Sequence, residues 1–193
     1  DNNTTTEADN ITTVTFNALA DGTYANCTIT VTDSAGNTDT IDVNPFTIDT
    51  TAPILTEETA VPRITKDNET SYTFHSDEIG TITYGGDCSS NSNDNISVVG
   101  NNEINFNALA DDTYDNCKIS VTDNATNTSD NLSVNTFTID TIAPIVSLVT
   151  AVSSPTSDNT PDYKFYSTEA GIITYGESCS SDDNTSVVGE NTI

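Results

Sequence analysis

Basic residues are nearly missing from this chain. Four Lys and Arg stand against 30 Asp and Glu, for a formal net charge of −26. A nucleic-acid surface needs clustered cations, and a polybasic membrane contact needs the same, so neither partner is expected. Methionine and tryptophan are absent, and His75 is the single histidine. No apolar run approaches the roughly 20 residues of a membrane span, and no signal peptide opens the chain. Lack of Met, at position 1 included, is what a fragment or a processed product would show. Apolar residues are scarce as well. Leu, Ile, Val and Phe make up about a fifth of the 193 residues, just above the level at which a highly charged chain stays disordered. Any fold must bury a sparse apolar set efficiently.

What the chain does have is repetition. Thr-Ala-Pro-Ile starts at Thr51 and Ile-Ala-Pro-Ile at Ile142. Pro53 and Pro144, Tyr84 and Tyr175, Cys88 and Cys179, and Phe46 and Phe137 are all separated by 91 positions. Phe16-Asn-Ala-Leu-Ala-Asp21 recurs as Phe106-Asn-Ala-Leu-Ala-Asp111 at an offset of 90. The chain therefore divides into the rear part of one repeat (1–49), a complete repeat (50–140) and the front part of the next (141–193).

Each repeat reads as short strands. Tyr72-Thr-Phe74, Ile82-Thr-Tyr84, Ile104-Asn-Phe106, Cys117-Lys-Ile119-Ser-Val121 and Phe137-Thr-Ile139 alternate apolar and polar, the pattern of half-buried antiparallel strands. Turns rich in Asn, Asp, Gly and Ser separate them, and no stretch carries a helical period. About seven short strands in about 90 residues suggest a two-sheet sandwich. Leu109-Ala-Asp-Asp-Thr-Tyr114 resembles the tyrosine corner that precedes strand F of such sandwiches. Tyr114 and Cys117 are three apart, as are Tyr24 and Cys27, so simple alternation would send them to opposite faces. A bulge is expected between them in both copies.

At Leu19-Ala-Asp-Gly-Thr-Tyr24, Ile29-Thr-Val-Thr-Asp33-Ser-Ala-Gly-Asn37 and Phe46-Thr-Ile-Asp49-Thr-Thr-Ala-Pro53, the chain resembles bacterial immunoglobulin-like repeats, the tandem domains of large surface adhesins and extracellular fibres. The two cysteines per repeat depart from the commonest form of that family. The resemblance implies an all-β fold of tandem immunoglobulin-like antiparallel β-sandwich domains of about 90 residues. By analogy, strand A starts near Pro53, B spans 72–74, C 81–88, E 104–106, F 117–121 and G 137–139. Strand G of one domain then runs into strand A of the next through Ile48-Asp-Thr-Thr-Ala-Pro53, a linker short enough for a semi-rigid rod.

The cysteines follow from that frame. No Cys-x-x-Cys occurs and there is one histidine, which argues against zinc. His75 aligns with Tyr166 and takes the outward parity of strand B, so it reads as a surface strand residue. In an immunoglobulin-like sandwich the end of C lies beside the start of F, which implies a Cys88–Cys117 disulfide. Cys27 and Cys179 would then pair outside this segment. A rival pattern, Cys27–Cys88 with Cys117–Cys179, would cross-link successive domains. Either pattern implies an oxidising, extracellular compartment.

The acidic residues read in two ways. One is a solvated surface that keeps a long polymer soluble or suits high salt. The other, implied by the resemblance, is calcium at the domain junctions. The end of strand G faces the B–C and F–G loops of the next domain, which would bring Asp49 near Asp77, Glu78, Asp123 and Asn127, all hard oxygen ligands. Asp140 and Glu169 would serve the following junction, and Asp33 with Asn37 the preceding one. Against this, Asp123 and Asn127 could simply make turn hydrogen bonds.

No arrangement of nucleophile and base, and no phosphate loop, singles out an enzyme. Lys66, Lys118 and Lys164 fall at non-equivalent repeat positions, which argues against an internal isopeptide. A lectin face would need exposed aromatics, and most tyrosines take strand or corner positions. Asn-x-Thr/Ser sequons (Asn26, Asn68, Asn95, Asn124 and Asn131 among them) follow from composition, though glycosylation suits an exported fibre. The expected protein is a non-enzymatic extracellular stalk or fibre at the cell surface, with neighbouring repeats and an unknown receptor or matrix as partners. The alternatives are a filament subunit completed by strand exchange between chains, or a carbohydrate- or ligand-binding module.

Overall fold

A computed structural model describes residues 4–6, 12–90 and 95–193. The fold is all-β and its ladders are antiparallel with one short exception. The chain forms two units, residues 1–140 and 141–193.

The complete repeat holds β7 (Leu55–Thr59), β8 (Ile64–Thr65), β9 (Ser71–Ser76), β10 (Gly80–Gly85), β11 (Ile96–Ser97), β12 (Gly100–Asn105), β13 (Asp112–Tyr114), β14 (Lys118–Asp123), β15 (Leu132–Ser133) and β16 (Phe137–Ile139). Before it lie β1 (Thr4–Thr6), β2 (Thr12–Val14), β3 (Gly22–Tyr24), β4 (Thr28–Thr32), β5 (Thr38–Asp42) and β6 (Phe46–Ile48). The second unit carries β17 (Val146–Thr150), β18 (Lys164–Ser167), β19 (Gly171–Ile172), β20 (Thr185–Ser186) and β21 (Gly189–Thr192).

In the complete repeat one layer is the sheet β12-β9-β7, and the other is β11-β10-β14-β15 continued by β13-β16-β8. The period-2 pattern explains the core. Tyr72 and Phe74 of β9 and Ile104 of β12 meet Ile82 of β10, Ile119 and Val121 of β14, and Phe137 and Ile139 of β16 in one buried cluster. Strand β9 alternates half-buried and buried along its whole length, with His75 among the half-buried positions. Gly80 allows β10 to close on β14: a Cβ there would sit 2.6 Å from Val121 Cγ1 and collide with the Thr122 carbonyl.

The expected bulge after Tyr114 is a full interruption. Residues 115–117 lie outside the strands, and the opposite strand breaks between β15 and β16 as well. The break lets Tyr114 stack on Phe137 at 5.3 Å while Cys117 stays in the core. The preceding copy breaks at the same place between β3 and β4, with Tyr24 stacked on Phe46 at 5.3 Å. Tyr24 and Tyr114 donate their hydroxyls to the carbonyls of Ala20 and Ala110 at 2.8 and 3.0 Å, which is the corner geometry.

Strand C ends earlier than expected, at Gly85. Gly86 has φ +76° and turns the chain out of the ladder, against the Asn116 backbone. Asn116 accepts the Asp87 N–H at 3.0 Å and donates to its carboxylate at 2.8 Å. That clasp sets Cys88 beside Cys117, and the two are bonded, with Cα atoms 5.2 Å apart. Cys27 and Cys179 are free thiols.

The drift of the repeat offset from 90 to 91 has a structural cause. In the first copy β4 and β5 pair without a slip from Thr28↔Asp42 to Thr32↔Thr38. In the second, Thr122 pairs with Thr128 but Ile119 with Leu132, so one extra residue is absorbed at 129–130. Ser129 turns inward there, and its hydroxyl accepts the Val121 N–H at 3.0 Å, which satisfies a backbone donor that the bulge removes from the ladder.

Candidate functional site

The junction between the first two repeats lies within one unit. It is built on a five-residue turn that both copies share. In the second copy the Asp123 carboxylate accepts the Asn127 N–H at 2.8 Å and the Asn127 side-chain amide at 2.9 Å. In the first, Asp33 holds Asn37 in the same way at 2.8 and 2.7 Å. The fourth residue needs a left-handed backbone: Gly36 has φ +88° and Thr126 has φ +75°. The turn hydrogen bonds foreseen as the plain explanation of Asp123 and Asn127 are therefore present.

The turn has a second contact. Asn127 also donates its side-chain amide to the Asp49 carbonyl at 3.1 Å, across the repeat boundary. Asp49 follows β6, Glu78 lies in the turn between β9 and β10, and Asp123 closes β14. Carboxylate oxygens of these three lie within 4.8 Å of one another. Asp123 is only 8 % exposed, and Asp49 and Glu78 are half-buried. Burial pushes the Glu78 carboxyl up, and the charges of Asp49, Asp77 and Asp123 add to that rise. Burial pulls Asp123 upward too, but the side chain and N–H of Asn127 and the N–H groups of Ala125 and Thr126 outweigh it and hold its carboxyl low. One acid of the group is thus favoured as the charged form and another is penalised for being charged.

Buried Ser76 fixes the Glu78 backbone, donating to its carbonyl at 2.7 Å. Ser167 does the same for Glu169 at 2.7 Å in the second unit. Asp77 does not join the three acids. Its carboxylate accepts the Ile54 N–H at 2.7 Å, at the start of strand A. Thr168, its repeat equivalent, accepts the Ile145 N–H through its hydroxyl at 2.9 Å. The exchange of Asp for Thr at this position thus preserves one hydrogen bond. Asp33 is occupied with its own turn, where the Asn37 side chain and N–H lower its pKa. Asp140 belongs to the first unit, with its N–H on the Thr65 carbonyl at 3.0 Å, and Glu169 to the second.

The linker is tied from the other side by residues that the pattern reading did not single out. Thr50 and Thr51 donate their hydroxyls to the two oxygens of Asp21 at 2.9 and 3.0 Å, and these bonds, the Thr50 hydroxyl first, lower the Asp21 pKa. The Thr51 N–H also donates to the Asp49 carboxylate at 3.1 Å. The signal was present: Asp21 recurs as Asp111 in the shared Leu-Ala-Asp segment, and Thr50 as Thr141. The linker is therefore hydrogen-bonded to the corner of the repeat behind it and to the F–G turn and B–C turn of the repeat ahead.

Among the described residues no helix is long and apolar enough to cross a membrane. Neither a protein-family model nor a curated protein matches the chain.

Proposed function

We propose that the chain is part of a non-enzymatic extracellular structural protein, in which tandem immunoglobulin-like domains form a semi-rigid stalk or fibre at the cell surface for adhesion or matrix. The observation that carries this reading is the linker held from both sides, by Asp21 behind and by Asn127 and Asp77 ahead. Six residues separate β6 from β7, and among them Thr50 and Thr51 are bonded to the repeat behind and Asp49 and Ile54 to the repeat ahead. Such a connection transmits bending from one domain to the next, whereas a flexible linker would absorb it. The Cys88–Cys117 bond supports an oxidising compartment.

Calcium at Asp49, Glu78 and Asp123 belongs to the same reading. Ca²⁺ takes oxygen ligands at about 2.3–2.6 Å, so two ligands on opposite sides of an ion stand roughly 5 Å apart. Three carboxylates within 4.8 Å of one another fit that span, and three bidentate carboxylates offer up to about six oxygens. A divalent cation would offset both the burial that raises Glu78 and the repulsion from Asp49 and Asp123 that adds to it. Calcium is expected to raise the melting temperature of the chelated protein and to narrow the distribution of angles between the first two repeats in small-angle scattering. No change in either quantity would sink the calcium assignment. A junction angle that stays broad under all conditions would sink the stalk reading.

A further inference from the structure

One contact in the complete repeat runs against the pattern of the rest. Strand β8 lies parallel to β16, with Ile64 beside Thr138 and Thr65 beside Ile139. The Thr138 N–H donates to the Arg63 carbonyl at 2.9 Å, and the Asp140 N–H to the Thr65 carbonyl at 3.0 Å. Asn135 lengthens this ladder with its side chain. Its amide oxygen accepts the Val61 N–H at 2.9 Å, and its amide nitrogen donates to the Val61 carbonyl at 2.8 Å. Val61, Val134, Phe137 and Ile139 anchor the two segments in the buried core. Both partners of the clasp recur at the repeat spacing, Asn44 with Asn135 and Val61 with Val152.

The place of this contact in the chain gives it a mechanical meaning. A pull on the two ends of the chain enters the complete repeat at β7 and leaves it after β16. Strand β8 is then pulled from its N-terminal side and β16 from its C-terminal side. Because the strands are parallel, the two pulls run in opposite directions along one axis. The bonds between them are loaded together and have to part together. Two strands pulled apart at one shared end would instead unzip, one bond at a time. Residues 66–136, with strands β9 to β15, lie between the two in sequence, so they are shielded from tension while β8 holds β16. Ahead of the contact stands β7, whose ladder to β9 slips between Glu57 and Thr59.

We propose that the β8–β16 contact, with Asn135 as its side-chain clasp, is the mechanical clamp of the repeat, and that the Cys88–Cys117 bond caps the extension once the clamp gives way. This role rests on the stalk reading above, since a stalk is loaded end to end. The clamp sets the force at which the repeat opens, which is a matter of the unfolding barrier rather than of equilibrium stability. The disulfide lies inside the shielded segment. After opening, it withholds the 29 positions that it spans, about 100 Å of chain at roughly 3.3–3.6 Å per extended residue. Cys88 and Cys117 are 3 % and 2 % exposed, so a reductant reaches the bond only after the repeat has opened.

Pulling single molecules of the 193-residue chain by handles at its two ends tests both parts. At constant force in dithiothreitol, the opening of the complete repeat should be followed by a second step of about 100 Å. Dithiothreitol supplies two electrons and two protons, closes to its own ring disulfide and leaves Cys88 and Cys117 as thiols. The second step also marks which opening event belongs to this repeat. A Lys66→Cys variant, with Cys27→Ser and Cys179→Ser, carries the first handle on that thiol, just past the C-terminal end of β8. Load then enters β8 and leaves β16 at the same end, and the opening force should fall severalfold. Asn135→Ala should lower the end-to-end force and leave the force in the Lys66→Cys geometry unchanged, because peeling from Thr65 reaches Val61 last. Equal forces in the two geometries overturn the clamp. So does an Asn135→Ala loss of the same size in both, which is general destabilisation. An opening with no second step in dithiothreitol overturns the cap. A broad junction angle in scattering would sink the stalk reading while these forces stand, and equal forces with a narrow angle would sink the clamp alone.

Discussion

Removing the Cys88–Cys117 bond tests how the complete repeat holds together with so small a core. The bond spans 29 positions. In the chain-entropy model, opening a loop of about 29 residues costs roughly 3.6 kcal/mol at 25 °C. A domain of about 90 residues unfolds with an entropy near 190 cal/mol/K, so the loss should lower Tm by about 19 °C. That is a large share of the roughly 5–15 kcal/mol by which domains are stable. The perturbation is Cys88→Ala with Cys117→Ala, made with Cys27→Ser and Cys179→Ser so that no other thiol contributes. The assay is thermal unfolding followed by circular dichroism, run on the variant and on the bonded parent with and without reductant. Reduced parent and double-alanine variant should melt together, well below the oxidised parent. A fall of less than about 5 °C would refute the reasoning, because the apolar cluster would then be sufficient without the cross-link.

Three smaller tests follow from the junction. The folded Glu78 carboxyl is raised by burial and by its acidic neighbours, so its contribution to stability is full below the unfolded carboxylate range and lost as pH rises through the folded value; in chelator, Glu78→Gln should melt higher than the parent at neutral pH, converge with it in acid and lose the response to calcium, and an unchanged calcium response would remove Glu78 from the site. Thr126 holds a left-handed backbone that Gly36 holds in the other copy, so Thr126→Gly should stabilise by about 0.5–1 kcal/mol, the relief of strain exceeding the added chain entropy; a lower urea midpoint would contradict this. Asp77→Thr should be close to neutral because Thr168 makes the equivalent bond, whereas Asp77→Ala should cost about 1 kcal/mol by leaving the Ile54 N–H unpaired; urea titration separates the two, and equal losses would show that the hydrogen bond is not what the position supplies.

Much of the fold was legible because its periods are local. Alternation placed β9, β10, β12 and β14 within a few residues of where they lie, and named Tyr72, Phe74, Ile104, Ile119 and Val121 as inward. The analogy with the immunoglobulin-like sandwich carries strand C too far, to Cys88; Gly86, at φ +76° and close against the Asn116 backbone, lies past its end. The candidate site was half legible. Asp49, Glu78 and Asp123 come together, but Asp77 caps Ile54, since a carboxylate beside an unpaired strand N–H satisfies a backbone donor that has no other partner.

The sequence by itself determined the repeat, the strand periods and the near absence of cations, because spacing and composition are read along the chain; the Cys88–Cys117 pairing needed the resemblance to an immunoglobulin-like sandwich as well. The tertiary structure alone decided the break after Tyr114, the inward turn of Ser129, the clasp of Asn116 on Asp87 and the latch of Asp21 on Thr50 and Thr51. Each of these depends on which surfaces meet when two sheets close on one core. A hydrogen bond across 29 positions leaves no period in the chain, only a pair of polar residues that many other arrangements would also explain.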